Sequence, residues 1–478
     1  MKARIFAEEN RKWWTLAAVA FGLFMIMLDN TVVNVALPSI ERDLHISISE
    51  LEWIVTAYAL TFAALLITGG KLGDVYGRRR IFMVGLAVFT LSSLACGLAP
   101  SASFLIGARA VQGVGAALMN PATLSIITAT FPPRERGQAI GIWAGVSALA
   151  LAIGPLCGGL IVDNINWNWI FFINVPVGVA GIVASRIFIT ESRDTSREQS
   201  IDVPGLLTSS LGLFSLSYGL IEANSKGWTS PEILGFFVAA VVLLVGFVLL
   251  ERHQRLPMLD LSLFRIGAFS GSNLVALLVS LGMFGVFFFV SLYVQNVLGY
   301  SPTKAGATFL PMTVLIIVIA PIAGRMSDRI GSRWLMGAGM TLVGCSLLLY
   351  QRVGLHSDFW TLLPAMLLGG IGMAMTMSPM TSAAMAAVPV DKAGVGSGVL
   401  NSFRQVGGSL GIALIGAILA TYLHHPAATL AGKQDYVNGL HAALLVSAGI
   451  TFAAAVVAVL AVRTRPEVER RHLAEMTV

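Results

Sequence analysis

The chain contains fourteen long apolar stretches joined by short polar segments, and this pattern restricts its fold more than any other feature. Each stretch is close to the length of about 20 residues that an α-helix needs to cross a lipid bilayer. The apolar runs are continuous and lack the alternation of barrel strands, so they predict transmembrane helices. They lie at residues 14–38, 51–70, 81–99, 103–125, 138–162, 169–190, 203–221, 233–250, 268–297, 304–324, 334–351, 359–385, 394–422 and 440–462.

The composition agrees with a chain embedded in lipid. Only 12% of the residues are charged and 56% are hydrophobic, with a mean hydropathy of +0.80, whereas an average soluble chain is about 25% charged. Cys96, Cys157 and Cys345 all lie in apolar stretches, which favours packing over a disulfide or metal framework. The sequence shows no nucleotide-binding glycine loop, no cluster of metal ligands and no nucleophile with its base. We therefore expect no metal, no cofactor, no nucleic-acid partner and no enzyme activity.

Basic residues are distributed unequally between the two sets of joints. If the N-terminus is cytoplasmic, the joints on that side hold 24 of the 31 Lys and Arg residues, and the outer joints hold five. This asymmetry follows the positive-inside rule, and removing one span would destroy it. It predicts fourteen spans with both termini in the cytoplasm. The five outer residues are Arg42, Lys226, Lys304, Arg352 and Lys433.

A polar loop between two apolar stretches occurs twice. The segment GGKLGDVYGRRRIFMVG (69–85) is echoed by AGRMSDRIGSRWLMGAG (323–339), with the same order of glycine, base, Asp and Gly. RGQAIG (136–141) and AGVGSG (393–398) form a second repeated pair. A parallel repeat of this kind predicts two six-helix lobes related by pseudo-symmetry, with a pathway between them.

The two apolar stretches between the repeats resemble neither half. We therefore predict an N-terminal lobe at residues 1–190, an inserted pair of spans with flanking linkers at 191–265, and a C-terminal lobe with a short basic tail at 266–478. The expected fold class is an all-α integral membrane protein with two six-helix lobes and two additional central spans.

Within the repeated loop, the acidic residue and the glycines are not required by membrane topology. Asp74 can accept charge-assisted hydrogen bonds from backbone donors or an arginine, and Gly73 and Gly77 allow neighbouring helix ends to approach closely. Such a contact would stabilise one of two conformations, so we predict a gate. The basic residues are explained equally well by the positive-inside rule. The predicted gate consists of Gly70, Gly73, Asp74, Gly77, Arg78, Arg79 and, in the second copy, Asp328.

Several motifs resemble those of one membrane-protein family. GKLGDVYGRRR (70–80) resembles the signature loop of the major facilitator superfamily. The resemblance covers nearly the whole chain and implies an antiporter that uses protons as its coupling ion. Asn168 and Val203 depart from residues common in the fourteen-span drug:proton antiporter branch, which leaves the subfamily open. The motifs that resemble this branch are LDNTVVNVALP (28–38), RAVQGVGAAL (109–118), GPLCGG (154–159), WIFFINVPVG (169–178) and DVPG (202–205).

Asp29 is one of three charged residues inside apolar stretches, where a central charge costs about 2.5–3.5 kcal/mol. It lies 15 residues after Trp14, about 22 Å along a helix, so it is deep in the first span. A carboxylate without a partner at this depth favours its protonated form, whereas an approaching organic cation favours the ionised form. Proton and cation would then compete for Asp29. A structural hydrogen bond near the outer interface is the alternative role.

The other two charged residues are arginines. Arg109 and Gln112 lie one turn apart in the fourth span, and the family resemblance implies that Arg109 takes part in proton coupling. Its side chain could alternatively extend toward the membrane interface. Arg404, in the thirteenth span, has no charged counterpart in the first half, where Ser147 occupies the matching position. We predict that Arg404 acts in coupling or as a counter-ion.

The fifth span carries small residues at spacings of three and four, which permits tight helix contact. The resemblance associates this helix with antiporters, and simple close packing is the alternative. The predicted antiporter face contains Gly141, Gly145, Gly154, Pro155 and Gly159. Aromatic side chains can stack on a flat organic cation, although they commonly serve packing in membrane helices. The candidates for lining a pocket are Trp53, Tyr58, Phe62, Trp143, Phe284 and Phe287.

Together these features predict a proton-coupled exporter of amphipathic, cationic drugs, dyes or biocides that works by alternating access. One alternative is an exporter of a narrower endogenous metabolite, antibiotic or lipid. Another is a membrane sensor or scaffold that does not transport. We expect a multi-pass monomer in the cell (plasma or inner) membrane, with membrane lipid and a small amphipathic organic substrate as its partners.

Overall fold

Helices account for almost all of the described chain. A computed structural model describes residues 8–45, 48–193, 202–254, 257, 259–425 and 429–462, and no β-strand occurs among them. The first seven helices are α1 (Glu8–Leu44), α2 (Ile48–Tyr76), α3 (Arg78–Gly97), α4 (Ala102–Thr130), α5 (Pro133–Asn164), α6 (Trp169–Phe172) and α7 (Asn174–Phe188). The next two are α8 (Val203–Lys226) and α9 (Pro231–His253). The last seven are α10 (Gly267–Leu292), α11 (Pro302–Thr308), α12 (Leu310–Ile330), α13 (Ser332–Leu349), α14 (Phe359–Ala386), α15 (Ala393–Ala420) and α16 (Leu430–Ala461).

Thirteen helical segments of the described residues are long and apolar enough to cross a membrane. Helices α6 and α7 together form one of these segments, Trp169–Phe188. The remaining predicted span corresponds to α5, a helix of 32 residues. The prediction of an all-helical membrane protein is therefore confirmed, and the helices are consistent with fourteen spans.

Polar residues at several helix N-termini accept hydrogen bonds from backbone groups that the first helical turn leaves unpaired. An unpaired backbone donor in lipid costs several kcal/mol, so these residues help to determine where each helix begins. The capping residues are Ser101 (α4), Asp202 (α8), Ser230 (α9), Ser301 (α11), Asp358 (α14) and Thr429 (α16). Helices α3 and α13 instead follow Gly77 and Gly331, whose φ angles of 109° and 87° are readily adopted only by glycine.

The two halves of the chain pack against each other through repeat-related helices. Within the first half α2 packs along α4, and within the second half α10 packs along α15. Between the halves, α2 packs against α15 and α5 packs against α12. Because α2 corresponds to α12 in the internal repeat, and α5 to α15, the two interlobe contacts follow the predicted pseudo-symmetry.

Helices α8 and α9 form a hairpin beside the two lobes. Helix α8 contacts α2 and α15. Only 17% of the most apolar part of α9 is buried within the protein, and its mean hydropathy there is 3.1. Helix α9 is therefore suited to face lipid over most of its surface. The residue boundaries of the three predicted parts stay predictions.

Candidate functional site

Asp29 lies at the centre of a buried polar cluster formed by α1, α4 and α7. Arg109 Nη1 donates to Asp29 Oδ2 at 2.5 Å, and Gln112 Nε2 donates to Oδ1 at 3.0 Å. Asn174 Nδ2, from α7, donates to the same Oδ1 at 3.2 Å. Asp29 is only 2% exposed. Both carboxylate oxygens are thus paired, as a buried charge requires.

The competition between proton and cation predicted at Asp29 was argued for a carboxylate without a partner, whereas Asp29 has one in the structure. Arg109 is 80 positions away in the chain and approaches from α4, so its charge compensates that of Asp29 inside the protein. Arg109 is 1% exposed, which also excludes an extension toward the membrane interface. Neither charge is therefore left uncompensated inside the protein.

Arg109 is itself held by several neighbours. Its Nε donates to the Ile54 carbonyl of α2 at 3.2 Å, and its Nη1 also donates to Gln112 Oε1 at 2.7 Å. The guanidinium lies 4.2 Å from the ring centroid of Tyr58. These contacts hold the arginine between α1, α2 and α4, so the ion pair depends on the relative positions of these helices.

Asn174 was not identified from the sequence as a member of this cluster. It lies in the WIFFINVPVG motif, where it is the polar side chain of an otherwise apolar stretch. A second bond, from Asn174 Nδ2 to Ser93 Oγ at 2.9 Å, connects the cluster to α3. An amide side chain in an otherwise apolar span could have indicated this role, because buried polar side chains are nearly always hydrogen-bonded.

Asp74, at the end of α2, binds the N-terminus of α15 in the other lobe. Its carboxylate accepts from the backbone N–H groups of Gly394 and Val395, both at 2.8 Å. Arg78 Nη2 and Nε donate to the same carboxylate at 2.9 and 3.1 Å. A carboxylate at a helix N-terminus completes unpaired donors and interacts favourably with the helix dipole. Asp74 thus joins the two lobes at the end of the molecule that carries the repeated loops, here called the loop end.

Arg78 extends this interlobe contact. The side chain is 1% exposed and donates to the carbonyl oxygen of Asp391 at 3.1 Å and to that of Val390. Gly70 crosses α15 at Gly394, where a Cβ atom on either glycine would collide with the carbonyl oxygen of the other. The group is called the first loop contact below and consists of Gly70, Asp74, Arg78, Val390, Asp391, Gly394 and Val395.

Two glycines of the predicted gate have different roles from those expected. A Cβ atom at Gly73 would meet nothing within 4 Å, so Gly73 does not provide a close approach. Gly77 instead allows the turn into α3 through its positive φ.

Arg79 also lies outside the interlobe contact. Its backbone N–H donates to Glu191 Oε1 at 3.0 Å, and its Nη1 donates to the Ile189 carbonyl at 3.2 Å. Glu191 therefore caps α3 within the first lobe.

The second copy of the loop makes a related contact in the opposite direction. Asp328 Oδ2 accepts from the backbone N–H of Gly137 at 3.1 Å, near the N-terminus of α5. Gly137 and Gly324 meet as closely as the glycine pair of the first loop contact. The group formed by Gly137, Gly324 and Asp328 is called the second loop contact below.

The predicted antiporter face of α5 contacts two different helices. Gly141 and Gly145 face α12, where a Cβ atom at Gly141 would collide with the Ala320 carbonyl. Gly154 instead faces α1, and a Cβ atom there would collide with Thr31. The small residues thus serve one contact between lobes and another within the first lobe. A Cβ atom at Gly159 would lie 3.2 Å from Thr303 Oγ1, and the side chain of Pro155 lies outside the described part of the structure.

The aromatic candidates do not form one pocket. Tyr58 stacks on Phe62 with ring centroids 6.0 Å apart, beside Arg109. Trp53 packs against Tyr218 of the α8 hairpin at 6.1 Å, away from this cluster. Phe287 stacks on Phe309 at 5.3 Å within the second half of the chain. The side chain of Phe284 lies outside the described residues.

Trp143 and Arg404 meet between the lobes. Trp143 is 2% exposed, and its Nε1 donates to Thr123 Oγ1 at 2.9 Å. The guanidinium of Arg404 lies 5.9 Å from the Trp143 ring centroid. Among the residues that the structure describes, none forms a hydrogen bond or ion pair with Arg404. Arg404 therefore has no carboxylate partner there, as a counter-ion role would require.

The linker between α9 and α10 also reaches the first loop contact. Lys392 Nζ donates to Asp260 Oδ2 at 3.1 Å. Hydrogen bonding to Ser262 and the charge of Lys392 hold the pKa of Asp260 below its usual value. Because Asp391 is adjacent to Lys392 and binds Arg78, the hairpin linker and the first loop contact share one short loop.

Comparison with known proteins decides which family shares this arrangement. A family model described as Major Facilitator Superfamily matches residues 19–412 and, in a second alignment, 274–477. The chain belongs to the major facilitator superfamily. The expectation drawn from the GKLGDVYGRRR loop is thereby confirmed.

Curated relatives of this major facilitator protein are antibiotic and multidrug resistance proteins. It is 40% identical to the tetracenomycin C resistance and export protein of Streptomyces glaucescens, over 86% of this chain and 77% of that protein. Identity to the puromycin resistance protein of Streptomyces alboniger is 37%, over 96% of this chain and 93% of that protein. The multidrug resistance protein Stp of Mycobacterium tuberculosis is 36% identical over 86% of this chain and 76% of its own length. The major facilitator protein is thus a membrane transporter related to drug and antibiotic resistance exporters.

Solved structures share the fold at lower identity. The human organic anion transporter MFSD10 matches with a TM-score of 0.68, over 94% of this chain and 99% of that chain, at 14% identity. A bacterial homologue of the lysosomal transporter Spinster matches with a TM-score of 0.58, over 95% and 97% of the two chains, at 18% identity. These likenesses concern the major facilitator fold alone.

Proposed function

We propose that this major facilitator protein exports amphipathic drugs and antibiotics in exchange for protons, by alternating access. The observation that carries the proposal is the ion pair of Asp29 and Arg109, which is buried within membrane-spanning helices. Burying two charges is expensive even when they are paired, and ionisable groups inside a membrane commonly mark ion or substrate pathways. The names of the resistance relatives support export of drugs over import of nutrients.

Asp29 is the proposed proton acceptor. Because Arg109 occupies the carboxylate, a proton reaches Asp29 only when the two side chains move apart. Asp29 lies on α1 and Arg109 on α4, so a small shift between these helices breaks the 2.5 Å contact. Arg109 then keeps acceptors in the Ile54 carbonyl and the Gln112 side chain. Protonation of Asp29 would thus be tied to one arrangement of the helices.

The two loop contacts are the proposed gate. Both join the lobes at the loop end, so an opening at that end must break both of them. Helix α2 connects this gate to the ion pair, because Ile54 near its start accepts a hydrogen bond from Arg109 and Asp74 lies near its other end. A movement of α2 would therefore change both sites together.

The proposed cargo is defined by its amphipathic character and not by a positive charge. The sequence-based preference for cationic compounds depended on an unpaired Asp29, and Arg109 occupies that carboxylate in the structure. An endogenous antibiotic as the narrower cargo is the second candidate. The name of the tetracenomycin C resistance and export protein is the observation that favours it.

We further propose that the protein lies in the cell membrane with both termini in the cytoplasm. The unequal distribution of Lys and Arg, 24 on one side against five on the other, supports this orientation. In this orientation the loop end faces the cytoplasm, so the gate opens toward the compartment from which a drug would be exported.

Transport by purified protein in proteoliposomes with an imposed pH gradient tests the proposal. We expect wild-type protein to drive dye efflux and Asp29→Asn to abolish proton-driven efflux, because asparagine cannot exchange a proton. Glu41→Gln, which removes a carboxylate from the same helix outside the Asp29 cluster, serves as the matched control. An Asp29→Asn variant that still pumps against a gradient would place the coupling carboxylate elsewhere.

A further inference from the structure

Among the residues that the structure describes, Arg404 is a mid-span charge without a compensating partner. It is the twelfth residue of α15, about 18 Å from the start of the helix, and so near the middle of a span. Asp29 and Arg109 neutralise each other, and no described residue pairs with Arg404. The three mid-span charges thus sum to one positive charge. A charge is seldom kept at this depth without a partner, and a missing partner points to a ligand.

The position of Arg404 favours a ligand between the lobes. Arg404 belongs to α15, and the ring 5.9 Å from its guanidinium belongs to Trp143 of α5, in the other lobe. The arginine keeps partial exposure although it lies mid-span, whereas Arg109 is almost completely enclosed. A partly exposed guanidinium beside an aromatic ring of the opposite lobe faces the region that an alternating-access transporter must open.

The chemistry of the two side chains defines what would bind. A guanidinium presents a planar fork of N–H donors that matches the two oxygens of a carboxylate. No residue in the described part of the chain binds this fork in Arg404. The Trp143 indole is held by its bond to Thr123, so its ring position is preset. Arginine commonly lies over such a ring. The Trp143 ring is 2% exposed in this arrangement of the lobes, so a flat apolar ligand would pack against it only when the lobes separate. The pair therefore offers a cationic contact for an acidic group and an aromatic contact for a ring.

We propose that Arg404 and Trp143 form a binding subsite for the ionised acidic group of an aromatic substrate, such as a carboxylate or an ionised phenol. The inference rests on the proposed export function and specifies its cargo as amphipathic acids. It reverses the charge that Asp29 suggested from the sequence. Arg404, for which the sequence predicts a role in coupling or as a counter-ion, is accordingly proposed to bind the acidic group of a substrate.

Equilibrium binding to detergent-purified protein tests the subsite without any gradient. The probes are three fluorescent compounds with one ring system and three charges: anthracenecarboxylate, its neutral methyl ester and the cationic aminomethylanthracene. At neutral pH we expect wild-type protein to bind the acid at least about tenfold more tightly than the ester, as a charge-assisted pair would. Arg404→Gln should remove that difference, and Arg404→Glu should shift the preference toward the amine. Arg352→Gln, which removes a charge from an outer joint, is the matched control.

Each outcome decides the inference. Equal affinity of wild-type protein for the acid and the ester would overturn it, and this comparison needs no variant to fold. If Arg404→Gln weakens the binding of all three ligands equally, Arg404 has a structural role, and the inference would also be overturned. If wild-type protein binds the acid selectively but shows no proton-driven efflux, the proposed antiport is refuted and the subsite still stands. Acid-selective binding that Arg404→Gln removes, together with efflux of the acid, would support both.

Discussion

The two loop contacts have the same geometry in outline but differ at the position of Arg78 and in the number of backbone donors that the carboxylate binds. In the first, Asp74 accepts from two backbone N–H groups of α15 and from Arg78. In the second, Ser332 occupies the position of Arg78, and its hydroxyl bonds to Ser327 at 2.6 Å. Arg78 therefore stabilises the interlobe contact of the first copy, whereas the serine at the matching position bonds to a residue of its own lobe.

The difference implies that the lobes are not held equally on the two sides. Arg78 connects Asp74 to the carbonyl groups of Val390 and Asp391, so the first loop contact includes the loop before α15 as well as its first turn. Hydrogen bonds to charged groups contribute about 1.5–3 kcal/mol each, roughly twice as much as neutral ones. We infer that the first loop contact dominates the equilibrium between closed and open loop ends. Three substitutions test this ranking.

Asp74→Asn should have the largest effect. Asparagine retains the size of the side chain but loses its charge, so the bonds to Arg78, Gly394 and Val395 all weaken. A loss of about 1 kcal/mol or more per bond would lower proton-driven efflux by about tenfold or more. The measurement is dye efflux from proteoliposomes at matched protein content, with thermal unfolding as the check on folding. Wild-type efflux from a folded variant would refute the gating role of Asp74.

Arg78→Gln should have an intermediate effect, because Asp74 keeps both backbone donors while the bonds to the loop before α15 are lost. We expect efflux to fall by about three- to tenfold. Arg79→Gln is the control, since Arg79 carries the same charge in the same loop but binds Glu191 within its own lobe. An equal loss in both variants would show that loop charge matters and that the interlobe bonds do not.

Asp328→Asn should have the smallest effect of the three. Its bond to the Gly137 N–H at 3.1 Å can survive as a neutral hydrogen bond, and Ser332 stands where the first copy has Arg78. The interaction that the substitution removes is the one with the charge of Arg136. A decrease of about two- to threefold in efflux is expected. The same proteoliposome assay applies. A larger loss than that of Asp74→Asn would reverse the proposed ranking of the two contacts.

Much of this architecture could be predicted from the sequence because it depends on local composition. Continuous apolar runs predicted the helices, and the charge asymmetry predicted their number. The repeated loop could be found because its residues are contiguous. The ability of Asp74 to bind backbone donors or an arginine followed from its chemistry, although its distant partners at Gly394 and Val395 were not predicted.

Contacts between distant helices could not be predicted in the same way. Gly73 and Gly70 differ by one helical turn, and only the crossing angle of α2 and α15 determines which of them faces the other lobe. The pairing of Asp29 with Arg109 likewise depends on two helices that are separated by 80 positions. Trp53 was assigned to the pathway, but the inserted hairpin covers that side of α2. In each case the sequence indicates that the residue is unusual but does not indicate which neighbouring helix it faces.

The two glycine crossings between the lobes follow the symmetry of the internal repeat. Gly70 meets Gly394, and Gly324 meets Gly137. In the internal repeat Gly70 corresponds to Gly324, and Gly394 corresponds to Gly137. Each crossing therefore joins position i of one copy to position j of the other, and j to i, which is the pattern of an isologous dimer interface. In a dimer of identical subunits both crossings would have to carry the same neighbours. Encoding the two copies in one chain removes that constraint, so one copy could lose its arginine while the other kept it.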